Sequence, residues 1–161
     1  MTSLQKWGKS VRTTIPVMAG YLVLGAGFGI LLRTRGYGLG WALAMSAFIY
    51  AGSMQYVAID LLTGGASLLT TAVTTLLVNA RHLFYGISML ERYRAAGKYA
   101  PYLIFSLTDE TYSLVAARED LTGAECFCIS LLNQLYWVLG TALGSLAGAY
   151  LDFNTTGIDF S

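Results

Sequence analysis

Residues 13–32, TTIPVMAGYLVLGAGFGILL, run for 20 positions without a charge. At ~1.5 Å rise per residue such a helix is about 30 Å long, the thickness of a bilayer's hydrocarbon core. Lys6, Lys9 and Arg12 precede it, as they would precede a secretory signal. The apolar run is too long for a cleaved signal core and further apolar runs follow, so it reads as a retained first helix.

Working outward, four more segments separate once the charges are marked. Residues 39–62 hold only Asp60, 67–90 hold Arg81 and His82, 100–117 hold Asp109 and Glu110, and 127–151 hold none. All are long enough to span, whereas strands of a membrane barrel would be about 10 residues long and alternate in polarity. The expectation is an all-α, polytopic bundle forming a single transmembrane domain over 1–161, with segments near 13–32, 39–62, 67–90, 100–117 and 127–151. Composition agrees. Only 12% of the chain is charged against 55% hydrophobic, half the charge a water-facing surface needs. A net charge of +1 leaves no basic excess for phosphates, which argues against nucleic acid as a partner. The surrounding medium implied is a lipid bilayer.

Five full crossings would put Arg92, Arg94 and Lys98 on the side opposite Lys6, Lys9 and Arg12, against the positive-inside rule. If the second or third segment dips in and returns, Arg92, Arg94 and Lys98 rejoin Lys6, Lys9 and Arg12, and the bias becomes six basic residues against Arg33, Arg35 and Arg118. One or two segments are therefore expected to be broken or re-entrant at the midplane. Packing is legible as well: Gly140, Gly144 and Gly148 recur every fourth residue, and Gly25 and Gly29 form a second such pair. Strips of this kind let helix backbones approach closely.

The polar residues are stacked at one depth. Ala51-Gly52-Ser53-Met54-Gln55, Asn79-Ala80-Arg81-His82 and Thr108-Asp109-Glu110 each lie beside the midpoint of their segment. A charge there costs at least ~2.5–3.5 kcal/mol, and such residues mark a substrate or proton pathway by default. The candidate substrate-binding set is Gly52, Ser53, Gln55, Asn79, Arg81, His82, Asp109 and Glu110. Ser53 is expected to cap a half-helix beginning after Gly52, with Arg81 competing for the same anion. Asp109 or Glu110 would take a cation or proton, and Tyr56, Phe84, Tyr85 and Tyr112 would wall an apolar pocket.

Blander readings exist for each cluster. Arg81 and one carboxylate could form an ion pair that only fixes helix register, and Gly52-Ser53 could be a simple kink. Asn133 and Gln134, off centre, fit interhelical hydrogen bonding. Cys126 and Cys128 lack a second pair for a zinc site and read as buried small hydrophobes. No hydrolase, metalloprotease or phosphate-loop motif is present, so neither catalytic residues, a metal nor a cofactor is expected. Asp109 and Glu110 are neighbours on a helix and point about 100° apart, so they cannot share one proton as a protease dyad must.

The succession PVMAGYLVLGAGFG from Pro16 to Gly29, AGSMQ from Ala51 to Gln55, NARH from Asn79 to His82 and TDE from Thr108 to Glu110 resembles the AzlC-like family. These are the larger subunits of bacterial branched-chain amino acid exporters. The resemblance runs in order across nearly the whole chain. It implies a multi-pass inner-membrane permease that exports valine, leucine and isoleucine by secondary transport coupled to protons or ions. It also implies a small AzlD-like membrane partner subunit. Members of the family usually add apolar helices beyond the point where this chain stops, so residues 152–161 are expected to lead into a part lacking here. The alternative is a structural or regulatory membrane subunit that binds a partner's helices and transports nothing.

Overall fold

The computed structural model describes residues 3–150, and every regular element in them is a helix. Two are long and apolar: α1 (Ser3–Thr34) and α8 (Gly123–Tyr150). Between them lie α2 (Leu39–Phe48), α3 (Gly52–Thr63), α4 (Leu68–Asn79), α5 (Arg81–Ala95), a 3-10 turn (Gly97–Tyr99), α6 (Ala100–Phe105) and α7 (Asp109–Ala116). Three of the five apolar segments are thus interrupted, each at its polar cluster. The expected residues 152–161 lie outside the described part of the chain.

The helices α1 and α8 run parallel in register. Gly140 packs on the backbone of Tyr21 and Leu22, Gly144 on Ala26, and Gly148 on Ile30 and Arg33. A Cβ on Gly25 would lie 2.8 Å from the Trp137 carbonyl, one on Gly140 2.8 Å from that of Leu22, and Gly29 and Gly144 are tighter still. Only glycine permits this approach, so the two small-residue strips read from the sequence face each other. Gly8, Gly20 and Gly40, by contrast, would meet nothing within 4 Å.

Positions on this pair serve as a ruler for the rest of the chain. The α2–α3 segment enters from the C-terminal end of α1 and doubles back. Gln55 Nε2 donates to Ser46 Oγ at 3.1 Å, nine residues earlier, where a continuous helix would separate them by about 13 Å. Gly52 then lies against Trp137, while Tyr56 reaches the Leu24 carbonyl at 2.7 Å, back toward the end it came from. The turn needs Tyr50 at φ 43°, a left-handed conformation that bulky residues rarely adopt.

The α6–α7 segment mirrors this from the opposite end. Tyr99 packs on Phe127 near the start of α8, Thr108 reaches Tyr21 at mid-depth, and Arg118 returns to donate to Thr13 at 2.7 Å. Only α4–α5 passes through: Asn79 sits at mid-depth, and Ala96 packs on Gly123 at the start of α8. Asn133 and Gln134 tie α8 to both hairpins, donating to Thr111 Oγ1 at 3.0 Å and to the Ala47 carbonyl at 3.1 Å.

Two returns instead of one correct the charge count. Arg118, expected opposite Lys9, joins it, so Lys6, Lys9, Arg12, Arg92, Arg94, Lys98 and Arg118 gather at one end. Arg33 and Arg35 are left at the other, with Arg81 between. At the basic end Lys9 meets Asp120 at 3.2 Å and holds its carboxyl below the usual range. Arg92 donates to the carbonyls of Val115 and Arg118. Cys126 and Cys128 are both buried.

Much of the outer surface is apolar. Leu68, Leu69, Leu77 and Phe84 are all at least 70% exposed, and α4 buries no residue at all. A water-facing helix would not present such a face.

Candidate functional site

The three breaks converge on a cavity of about 210 Å³ at mid-depth, backed by α1 and α8. Seven of the eight residues singled out from the sequence line it: Gly52, Ser53, Asn79, Arg81, His82, Asp109 and Glu110. The eighth, Gln55, does not. It is fully buried behind the wall, accepting from Trp137 Nε1 at 2.9 Å and donating to Ser46, which in turn bonds Thr141. Its role is to fix Trp137, whose indole does line the cavity. The reason is helical phase: Gln55 lies two positions and about 200° of turn from Ser53, which faces the opening, and so points toward α8.

Arg81 links two breaks. Its guanidinium lies 2.6 Å from Asp109 Oδ2 and donates to Ser53 Oγ at 2.9 Å. The side chains of Arg81 and Asp109 remain 42% and 34% exposed, so this pair can be reached from the cavity. Glu110 takes a different partner, accepting from the Tyr21 hydroxyl at 2.6 Å. Tyr21 also lies 2.6 Å from Thr108 Oγ1. Adjacent carboxylates therefore face separate neighbours, one cationic and one phenolic.

Three half-helices begin at this cavity, α3, α5 and α7, and the first and last have opposite character. At α7 the N-terminus is already satisfied: Thr108 caps it by accepting from the Thr111 amide at 3.3 Å, and Asp109 and Glu110 occupy its first turn. At α3 no side chain caps the N-terminus and no acid stands in the first turn. Ser53 lies inside the helix and accepts from Arg81, so the expected Ser53 cap is corrected: the N-cap position is Ala51. That leaves uncapped amides and a positive dipole end beside Arg81, which together favour an anion.

The aromatic wall also differs from expectation. Tyr56 lines the cavity, but Phe84 is 72% exposed on the outer face. Tyr85 and Tyr112 stack on each other at 4.4 Å away from the lining. In their place stand Leu24, Tyr21, Tyr50 and Trp137. The depth argument applied to the uncharged segments would have found two of these, because Tyr21 and Trp137 lie near the midpoints of 13–32 and 127–151. His82 lines the cavity with its Nδ1 3.2 Å from the Asn79 carbonyl.

Comparisons with known proteins cover the sequence of all three breaks. Residues 16–151 match the AzlC protein family. The branched-chain amino acid transport protein AzlC of Bacillus subtilis (strain 168) is 47% identical over 152 residues, covering 91% of this chain and 59% of that protein. An uncharacterized membrane protein of Helicobacter pylori (strain ATCC 700392 / 26695) is 46% identical over 91% of this chain and 66% of its own. Inner membrane protein YgaZ of Escherichia coli (strain K12) is 28% identical over 87% and 60%. The chain thus spans about three fifths to two thirds of the length of these relatives. No solved structure matches. With the family match running from the first helix through all three breaks to the end of α8, the chain belongs to the AzlC family.

Proposed function

We propose that this chain is a multi-pass bacterial inner-membrane transporter subunit that exports branched-chain amino acids, coupled to protons or ions. The observation that carries this reading is the mid-depth cavity, where an uncapped α3 N-terminus and Arg81 stand opposite Asp109 and Glu110. A zwitterionic amino acid needs an anion site and a cation site a few ångströms apart, and discontinuous helices supply both in secondary transporters. The carboxylate binds the α3 amides and Arg81. The ammonium takes the place of Arg81 at Asp109. Glu110, shared with Tyr21, carries the coupling proton. The volume is below the ~300–1,000 Å³ of drug-sized sites, which suits one small amino acid, and Leu24, Tyr56 and Trp137 give its side chain an apolar wall.

The gathering of seven basic residues at one end supports an inside N-terminus under the positive-inside rule. The exposed apolar face of α4, with Phe84 of α5, suits lipid, a small AzlD-like partner subunit, or both. The name of the Bacillus subtilis relative supports the substrate class.

One observation favours the rival reading of a subunit that transports nothing: the Arg81–Asp109 pair could simply neutralise itself. Its exposure weighs against that: losing one partner costs about 3–5 kcal/mol only where the pair is buried, and accessible pairs contribute about 0–1 kcal/mol. Efflux of valine, leucine and isoleucine from loaded cells, with and without a co-expressed small partner, is the test. Faster efflux than in empty-vector cells is expected; equal rates in both backgrounds would remove the transport reading.

A further inference from the structure

A second, larger cavity of about 610 Å³ adjoins the central one. One face of α5 forms its long wall through Leu83, Gly86, Ile87, Leu90 and Arg94, a spacing of three and four residues that keeps them aligned. The opposite wall comes from α6 through Ala100, Ile104 and Phe105. From His82 to Arg94 the groove follows α5 for about 18 Å, slightly more than half a ~30 Å hydrocarbon core. It therefore joins mid-depth to the basic end, where Arg94 stands.

Tyr50, Ala51, Asn79 and His82 line both cavities. They come from two of the three breaks, so the partition between the spaces is built from the least regular backbone in the molecule. Tyr50 is the bulkiest of the four. It sits at φ 43°, is 4% exposed, and its hydroxyl makes no hydrogen bond of ordinary geometry. Its ring leans on Phe105 of the far wall at 6.4 Å. A residue whose backbone is held in a sparsely populated conformation marks a functional junction more often than a plain packing position.

We propose that this groove is the inner leg of the substrate route, with Tyr50 at its neck. The inference deepens the transport reading and rests on it. An apolar groove matches a branched aliphatic side chain, and the walls of α5 and α6 leave room that no described residue fills. Gly86 is the telling position: a Cβ there meets nothing within 4 Å although it lies in mid-groove.

That open space supplies the test. Gly86→Trp places a bulky ring in the groove from a position whose Cβ meets nothing, and Gly40→Trp, equally open at Cβ but lining neither cavity, is the control. Leucine efflux should fall at least about tenfold in Gly86→Trp and stay at the parent rate in Gly40→Trp. Parent-level efflux in Gly86→Trp would overturn the route. A second measurement does not depend on transport. Ile87, 74% exposed, is replaced by Cys, and vesicles of either orientation are treated with a membrane-impermeant maleimide; Cys126 and Cys128 are buried and set the background. Labelling from the face bearing Arg94 is expected. Labelling only by a lipid-soluble maleimide would show a groove filled by lipid and would overturn the proposal. If the parent chain exports no amino acid, the transport reading fails, and the maleimide result still decides whether the groove is a watered path.

Discussion

The α1–α8 seam and the junction of the three breaks lie at the same depth and touch through Tyr21 and Trp137, yet they are built by opposite means. At the seam, glycines bring two backbones within van der Waals contact, and close packing does most of the holding, with a Thr14–Tyr136 hydrogen bond and a Lys9–Glu125 ion pair toward one end. At the junction the helices stop short, and Arg81, Ser53, Asp109, Glu110 and Tyr21 hold the ends by polar contacts. The seam has no spare room; the junction is hollow. Stability and function should therefore separate: seam variants should lose the protein, and junction variants should lose activity from a protein that still accumulates.

The largest effect is expected where the seam is tightest. Gly144→Leu drives α8 away from Ala26, and overpacking of this kind costs about 1–3 kcal/mol and sometimes more. Thermal unfolding in detergent should show a clear fall in Tm, while Gly20→Leu, with open space around it, should match the parent. An unchanged Tm in Gly144→Leu would mean the seam is not what holds the bundle.

Gln55 links the two regions and should show an intermediate effect. Gln55→Leu leaves the Trp137 N–H without its acceptor in a buried site, a loss of about 1–3 kcal/mol. It should also loosen the indole that walls the cavity, giving a red shift in tryptophan emission and weaker substrate retention together. A lower Tm with unaltered transport would detach Gln55 from the site.

The smallest effect belongs to the basic end. Lys9 holds the exposed Asp120 carboxyl below its usual range. A depressed carboxyl stabilises the fold above its unfolded pKa and ceases to as pH falls through its folded value. Lys9→Gln should thus show only a slight deficit in Tm near neutral pH, vanishing in acid. A deficit that grows in acid would reverse the assignment.

How much of this was legible in the sequence also differs between the two regions. The strips of the seam were written in the sequence, because Gly25, Gly29, Gly140, Gly144 and Gly148 need only periodicity to be recognised; that the two strips face each other was not. At the junction, the breaks were legible because polar residues at mid-depth have few other reasons to be there. What the chain does after each break was not. Nothing local to Tyr50-Ala51 distinguishes passing through from turning back. Long-range contacts decide it: Gln55 to Ser46 and Trp137, and Tyr56 to the Leu24 carbonyl. The basic-residue count sensed one return and missed the second, because a hairpin at 100–117 moves only Arg118. The wall residues failed for a related reason. Phe84 lies two positions from His82 on α5, and about 200° of helical turn separates inner from outer face.

The central claim is that Asp109 serves a substrate and does not merely neutralise Arg81. The direct measurement is efflux and yield of folded protein for Asp109→Asn, alone and with Arg81→Gln. The amide keeps the size of the carboxyl but cannot carry the charge that holds an ammonium. The account predicts that Asp109→Asn accumulates at the parent level, binds any partner normally and exports no leucine. Loss of the folded single variant with recovery in the double variant would contradict it and establish a structural pair. Full activity in the single variant would remove Asp109 from the site altogether.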